Sequence, residues 1–121
     1  MNCLVIGGAG FIGSYVVQNL LAAGHHPVIF DFITDKNALQ KVCGPDEIDN
    51  VDLVYGDVAD LAALARAVKE FKIDTMVHLA AWQIPGCHNN PTKAITINGI
   101  GFNNTLEVAS LFDIAWCIPG R

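Results

Sequence analysis

Four glycines close to the start of the chain have the spacing of an anion-binding turn. Gly7, Gly8, Gly10 and Gly13 directly follow the apolar run 4–6. Glycines let a phosphate group approach the backbone, and free N–H groups at the start of a helix attract negative charge. Two spacings overlap, Gly-x-Gly-x-x-Gly from position 8 and Gly-x-x-Gly-x-x-Gly from position 7. The sequence leaves open which three glycines would contact a diphosphate, and a purely structural turn is the alternative.

A carboxylate stands where the other end of a dinucleotide would be bound. Asp31 ends a second apolar run, about 20 residues after the glycines, and a carboxylate there can accept hydrogen bonds from ribose hydroxyls. It would also repel a 2′-phosphate, and Lys36 is the nearest base, so the pattern favours NAD over NADP. The alternative interpretation of Asp31 is a turn residue or a helix cap.

Further candidates follow the third and fourth predicted strands. Asp57 could accept a hydrogen bond from the exocyclic amine of adenine, and the Val58 backbone could meet the edge of the ring. Equally, Asp57 and Asp60 could only end a strand and cap a helix. Ala80 and Ala81 are small enough to leave room for a ribose or nicotinamide beside the fourth strand.

Several nearby polar residues have more than one interpretation. His78 lies within an apolar strand, which favours a buried, hydrogen-bonded histidine over a catalytic one. Gln83 could hydrogen-bond a ribose or be a solvated loop residue. Asn98 lies in a predicted helix, where asparagine is unfavourable, so it could tie a strand end to the helix or be solvated. Cys87 and His88 have no further ligands at metal-binding spacing, so no metal site is indicated.

The elements that must position these residues alternate between strand and helix. Apolar runs predict strands, and apolar residues at helical spacing predict helices. The predicted strands are 2–7, 28–32, 51–55, 75–79 and 114–118; the predicted helices are 11–23, 34–43, 61–71 and 91–112, with a loop at 82–90. This alternation predicts an α/β fold, a doubly wound parallel sheet of about five strands in the order 3-2-1-4-5.

Length and composition limit the classes of function. The chain has 121 residues, of which 52% are hydrophobic, and a net charge of −5. It is long enough for one domain with a core, residues 1–121, and too apolar for disorder. The absence of a basic block argues against nucleic acid as a partner. The four cysteines are scattered, which fits a reducing cytoplasm, and we expect neither a signal peptide nor a membrane span.

Taken in order, these motifs resemble those of the extended short-chain dehydrogenase/reductases, the NAD-dependent epimerases and dehydratases of nucleotide sugars. The resemblance rests on residues 7–13, Asp31, 56–58, 78–81 and 98–109, and it covers nearly the whole chain. It implies an NAD-binding Rossmann domain. It also implies that the cofactor contacts are Gly7, Gly10, Phe11, Ile12, Gly13, Asp31, Asp57, Val58, Leu79, Ala80, Ala81, Gln83 and Asn98.

The catalytic residues of that family do not occur in this sequence. The family uses a Tyr-x-x-x-Lys pair on the helix after the fifth strand, where the tyrosine moves the substrate hydroxyl proton during hydride transfer. Here Tyr15 is followed four residues later by Asn19, and Tyr55 by Ala59. We therefore expect the N-terminal cofactor-binding part of such an enzyme, truncated before the catalytic helix.

The resemblance also defines what is expected of a longer parent protein. A parent would act on nucleotide sugars or similar hydroxyl and carbonyl substrates, whereas we expect the isolated chain to be inactive. A non-catalytic dinucleotide-binding or partner-docking module is the alternative. In the family the helix 92–112 contributes to a dimer interface, so the resemblance also implies a homodimer.

Overall fold

The computed structural model describes residues 1–116, and its central element is a five-stranded sheet in which all paired strands are parallel. The order is β3-β2-β1-β4-β5, which confirms the predicted order. The strands are β1 Asn2–Ile6, β2 His26–Asp31, β3 Asp52–Tyr55, β4 Thr75–His78 and β5 Ala115–Trp116. The second strand begins two residues earlier than predicted and ends at Asp31. The last predicted strand residues, 117 and 118, lie outside the described residues.

Helices connect the strands and cover both faces of the sheet. They are α1 Phe11–Ala22, α2 Asn37–Gln40, α3 Pro45–Ile48, α4 Leu61–Glu70, α5 Gly86–Asn89, α6 Pro91–Ala94, a π-helix Ile95–Gly101 and α7 Phe102–Leu111. The predicted break at 44–46 instead begins α3, because a proline suits the first turn of a helix. The predicted loop 82–90 likewise contains α5. In the described part of the chain, no helix is long and apolar enough to cross a membrane.

Strand β1 is buried on both faces, which explains its continuous apolar run. Leu4 and Ile6 belong to the core beneath α4 and α7, and Val5 belongs to the core on the opposite face, with Val17 of α1. Side chains alternate between the faces of a strand, and a parallel sheet covered on both sides therefore needs apolar residues at every position.

The predicted long helix forms, but its middle is a π-helix. Its start is fixed by Asn90, whose side chain accepts a hydrogen bond from the Lys93 N–H at 3.1 Å. Segments α6, the π-helix and α7 then follow one another without a break. π-Helical turns occur frequently at functional sites. This one carries Asn98 past the carboxyl end of β4.

Candidate functional site

A cavity of about 480 Å³ opens at the carboxyl ends of strands β1 to β4. This volume lies within the range of small-molecule sites. Every predicted site residue except Asn98 lines it: Gly7, Gly10, Phe11, Ile12, Gly13, Asp31, Asp57, Val58, Leu79, Ala80, Ala81 and Gln83. The carboxyl ends of parallel strands meet at one edge of the sheet, and the structure thus brings together residues that are distant in sequence.

The glycines of the turn have different roles. Gly7 has φ +82°, and a Cβ there would lie 2.6 Å from the Ala80 backbone nitrogen. A Cβ on Gly13 would lie 2.5 Å from the Cα of Gly8, so Gly13 lets α1 pack onto the turn. Gly10 is different, because the nearest atom to a Cβ there is the Gly7 oxygen at 3.8 Å. Gly10 therefore leaves open space at the cavity wall.

The two overlapping glycine spacings can now be separated. Gly7, Gly10 and Gly13 line the cavity, whereas a Cβ on Gly8 would meet the side chains of Val5 and Ile29 in the core. The cavity is therefore lined by the Gly-x-x-Gly-x-x-Gly set, with Gly8 buried beneath it.

The start of helix α1 supplies the positive electrostatic potential of the site. Gly10 is its N-cap, no side chain caps the helix, and the first turn carries no acidic residue. The N–H groups of a first turn have no partner within the helix, and the helix dipole adds partial positive charge there. None of the described residues lining the cavity is lysine or arginine. An anion would therefore be held by backbone amides.

Asp31 joins the end of β2 to the glycine turn. Its side chain is buried; Oδ2 accepts a hydrogen bond from the Ala9 N–H at 3.0 Å, and Oδ1 accepts one from the Ile33 N–H at 3.1 Å. Each carboxylate oxygen can accept a further hydrogen bond. Asp31 is thus a turn residue that also lines the cavity, so the two interpretations are compatible.

Lys36, the nearest base in sequence, does not line the cavity. Its Nζ donates to the Ile48 carbonyl at 3.2 Å and to the Val51 carbonyl at 2.5 Å. These bonds tie the chain after β2 to the segment before β3. The ammonium group is therefore bound at the end of the connection that leads into β3.

The turn after β3 forms the next part of the wall. Asp57 is exposed and its Oδ1 accepts a hydrogen bond from the Ala59 N–H at 2.9 Å, while the Asp60 side chain caps α4 through the Ala63 N–H. The capping role of Asp60 is therefore confirmed. Val58 between them is buried, and both Asp57 and Val58 line the cavity.

Asn98 ties the π-helix to the chain beyond β4 and does not line the cavity. Its Oδ1 accepts a hydrogen bond from the Trp82 N–H at 2.7 Å, and its Nδ2 donates to the Trp82 carbonyl at 3.0 Å. This is the tie between strand end and helix that was one of its two interpretations. Lys93 covers the Trp82 ring, with Nζ 3.8 Å from the centroid.

Sequence reasoning missed several wall residues. They are apolar or aromatic neighbours of predicted ones: Phe30, Phe32, Ile33, Trp82 and Ile97, together with Gly56. Phe32 and Ile33 directly follow Asp31, and Trp82 lies between Ala81 and Gln83. The rule that ligands bind beyond strand ends could have found Phe32, Ile33 and Trp82, but not Ile97, which lies on the π-helix.

His78, the last residue of β4, is buried against α7. Its Nδ1 hydrogen-bonds Thr105 Oγ1 at 2.9 Å, and its ring meets the edge of Phe102 at 5.3 Å between centroids. The interpretation as a buried, hydrogen-bonded histidine is confirmed. Burial lowers the pKa of His78 below its usual value of 6.5, opposed in part by a hydrogen bond with the Ala80 backbone.

We expect the lowered pKa of His78 to make the stability of the fold depend on pH. As pH falls below about 6.5, the unfolded state takes up the proton before the folded state does, so the free energy of unfolding decreases. Above that pH the contribution is constant. Thermal unfolding of the wild type between pH 5 and 8 should show a steeper decline at the acidic end than His78→Gln. Equal slopes in both proteins would contradict the prediction.

Cys87 and His88 lie on α5, close to the chain beyond β4. The Cys87 thiol donates a hydrogen bond to the Trp82 carbonyl at 2.6 Å, so it belongs to the same tie as Asn98. The described residues contain no group of three or more His, Cys, Asp or Glu side chains that could hold a metal ion.

Comparisons with known proteins agree on one family. Residues 4–117 match the family model of GDP-mannose 4,6 dehydratase. UDP-glucose 4-epimerase of Lacticaseibacillus casei is 35% identical over 115 residues, 94% of this chain and 33% of the relative. The dTDP-glucose 4,6-dehydratase of Salmonella typhimurium is 31% identical over 111 residues, 90% of this chain and 31% of the relative.

A solved structure has the same fold and contains a bound ligand. The UDP-glucose 4-epimerase of Thermus thermophilus in complex with NAD matches with a TM-score of 0.78 at 28% identity, covering 94% of this chain and 35% of that chain. The chain thus spans about a third of the length of the relatives that it matches.

Proposed function

The chain belongs to the GDP-mannose 4,6 dehydratase family of epimerases and dehydratases, and from that membership we propose that residues 1–121 form an NAD-binding Rossmann domain. The observation that carries the proposal is the cavity at the strand ends. The open space at Gly10 and the buried carboxylate of Asp31 both border this cavity. The similar Thermus thermophilus epimerase structure is a complex with NAD.

The chemistry of the lining fits the parts of NAD. The diphosphate would be held by backbone N–H groups at Gly10, Phe11, Ile12 and Gly13, where the start of α1 favours an anion. Asp31 would accept hydrogen bonds from the adenosine ribose.

The remaining lining residues would hold the two ends of the cofactor. Asp57 and Val58 would meet the adenine. Leu79, Ala80, Ala81 and Gln83 would face the nicotinamide half, with Asn98 supporting that wall through Trp82.

The unphosphorylated cofactor is proposed over NADP. Asp31 would repel a 2′-phosphate, and the Lys36 ammonium is bound to the carbonyls of Ile48 and Val51. The described lining of the cavity contains no lysine or arginine to neutralise such a phosphate.

The activity of a whole protein built on this chain is a further proposal. The chemistry that NAD would supply when bound is hydride transfer with a substrate carbon, which in an epimerase would be reversible. We propose that a longer parent acts as an oxidoreductase-like epimerase or dehydratase on nucleotide sugars or similar hydroxyl and carbonyl substrates. The chain itself lacks the Tyr-x-x-x-Lys pair, so we propose binding without turnover for the 121 residues. A non-catalytic dinucleotide-binding or partner-docking module is the alternative.

Separate calorimetric titrations with NAD and NADP test the cofactor. We expect measurable heat with NAD and at least about tenfold weaker binding of NADP, which is about 1.4 kcal/mol. Trp82 lines the cavity, so its fluorescence should change on NAD binding, and Trp82→Phe separates this signal from that of Trp116. If neither dinucleotide binds, or if NADP binds more tightly, the proposal is wrong.

Partners and location complete the proposal. Ile95, Ile100 and Leu111 are exposed apolar residues on the helical stretch 92–112, which supports a homodimer, testable by light scattering. The net charge of −5 supports a partner other than nucleic acid. The four cysteines are widely scattered in the sequence and form no Cys-x-x-Cys pair, which supports a location in the reducing cytoplasm.

A further inference from the structure

Helix α7 contacts the turn that follows β3 through the side chain of Asn104. Asn104 is buried in this helix with 8% of its surface exposed, and its Nδ2 donates a hydrogen bond to the Val58 carbonyl at 3.0 Å. Asparagine is a poor helix former, and a buried amide without partners destabilises a fold. The bond to Val58 accounts for an otherwise unfavourable residue at this position.

A second contact between the same two segments is steric. Gly101 ends the π-helix one turn before Asn104, and a Cβ there would lie 2.5 Å from Val58 Cγ2 and 3.1 Å from Val58 Cβ. Only a residue without a side chain lets the helix approach this closely. Gly101 and Asn104 therefore hold opposite parts of Val58, the side chain and the backbone carbonyl.

Two hydrogen bonds of Asp57 also stabilise the turn from within. The Asp57 Oδ1 accepts the Ala59 N–H at 2.9 Å, and its backbone carbonyl accepts the Asp60 N–H at 2.9 Å. The carboxylate and the Val58 backbone thus form one rigid edge of the cavity. Its position relative to the rest of the cavity is set by the helix.

We propose that Asn104 is a positioning residue for recognition of the purine base, acting by holding the Val58 carbonyl while Gly101 provides the room. The inference rests on the proposed binding of NAD at this cavity. The chemical group recognised is the 6-amino group of adenine, which can donate a hydrogen bond to the Asp57 carboxylate. Hypoxanthine has a 6-oxo group in the same place, which is an acceptor and cannot donate to a carboxylate.

The effect of losing Asn104 should be confined to one end of the ligand. Its amide bonds to Val58, whereas the Asp31 carboxylate, proposed to hold the ribose, is fixed by the N–H groups of Ala9 and Ile33. Without the Asn104 amide the Val58 carbonyl is unpaired, and the turn moves to find another donor. The edge that faces the base then shifts, while the other contacts keep their geometry.

The experiment compares NAD with nicotinamide hypoxanthine dinucleotide by calorimetry. The wild type should prefer NAD by about tenfold or more, the usual value of a hydrogen bond to a charged group. In Asn104→Ala we expect the preference to fall to about twofold or less. Asn103→Ala is the matched control, because Asn103 is the neighbouring asparagine and is exposed, and it should keep the preference of the wild type.

A second variant keeps the inference testable if Asn104→Ala does not fold. Gly101→Ala places a methyl group against Val58 and should lower the preference in the same direction, with the helical content checked by circular dichroism. If the wild type binds neither dinucleotide, the proposed function fails. If the wild type binds both equally, or if the folded variants keep its preference, NAD binding stands and the role of Asn104 is wrong.

Discussion

Replacing Gly10 with alanine is expected to remove NAD binding while leaving the fold intact. The backbone at Gly10 has φ −83° and ψ −174°, an extended conformation that alanine adopts freely, and the added Cβ would meet nothing closer than the Gly7 oxygen at 3.8 Å. That same Cβ would occupy the cavity wall at the start of α1, where we propose that the diphosphate binds. We expect the dissociation constant for NAD to rise about a hundredfold or more, which is about 3 kcal/mol.

Gly44→Ala is a matched control for this substitution. Gly44 is also the N-cap of a helix, with extended backbone at φ −70° and ψ 161°, and a Cβ there meets no atom within 4 Å. Each variant should lose at most about 1 kcal/mol of stability from the change of N-cap residue. Calorimetry and thermal unfolding of both proteins separate the two effects. If Gly10→Ala binds NAD as tightly as Gly44→Ala does, the diphosphate is not held at this turn.

The contrast among the glycines illustrates what spacing can and cannot predict. The pattern correctly located a turn between a strand and a helix, because close packing and ligand approach both require glycine. It could not separate these roles. A Cβ on Gly13 would collide with the backbone of Gly8, whereas one on Gly10 would enter open space. Only the folded backbone distinguishes a glycine needed for packing from one that leaves room for a ligand.

Strand order and most of the cavity followed from the sequence for one physical reason. Apolar runs and helical periodicity identified the strands and crossovers, and parallel strands place all their carboxyl ends at one edge. Residues after four successive runs therefore had to meet. The contacts of Trp82 were not accessible in this way. They depend on Asn98, 16 residues later, and on a π-helical segment for which the sequence gives no periodic signal.

Asn98 shows how a local conflict can still be informative. An asparagine in a predicted helix suggested either a tie to a strand end or a solvated residue. The hydrogen bonds to both polar atoms of the Trp82 backbone are those of the tie. The sequence did not indicate that the Asn98 side chain lies outside the cavity. The direction of this side chain depends on the π-helix, which the sequence did not predict.

Replacing Asp31 with alanine is expected to weaken NAD binding strongly and to remove the preference against NADP. The carboxylate would lose its proposed hydrogen bonds with the ribose hydroxyls, and the Ala9 and Ile33 N–H groups would lose their acceptor. Hydrogen bonds to charged groups contribute about 1.5–3 kcal/mol each, so we expect a loss of about a hundredfold or more for NAD. The affinity for NADP should fall less than the affinity for NAD, because the repulsion between the carboxylate and the 2′-phosphate disappears together with the hydrogen bonds.

The ratio of the two dissociation constants distinguishes a ligand contact from a structural role of Asp31. Disruption of the turn alone would weaken both dinucleotides by the same factor and leave the ratio unchanged, whereas loss of a ribose contact moves the ratio toward one. Asp35→Ala removes the same charge from a nearby exposed carboxylate, which also accepts a backbone N–H, from Asn37 at 3.0 Å. It should change neither constant by more than about twofold, because surface charges are screened by salt. An unchanged ratio in Asp31→Ala would mean that this carboxylate only holds the turn, and that selection between NAD and NADP lies elsewhere in the cavity.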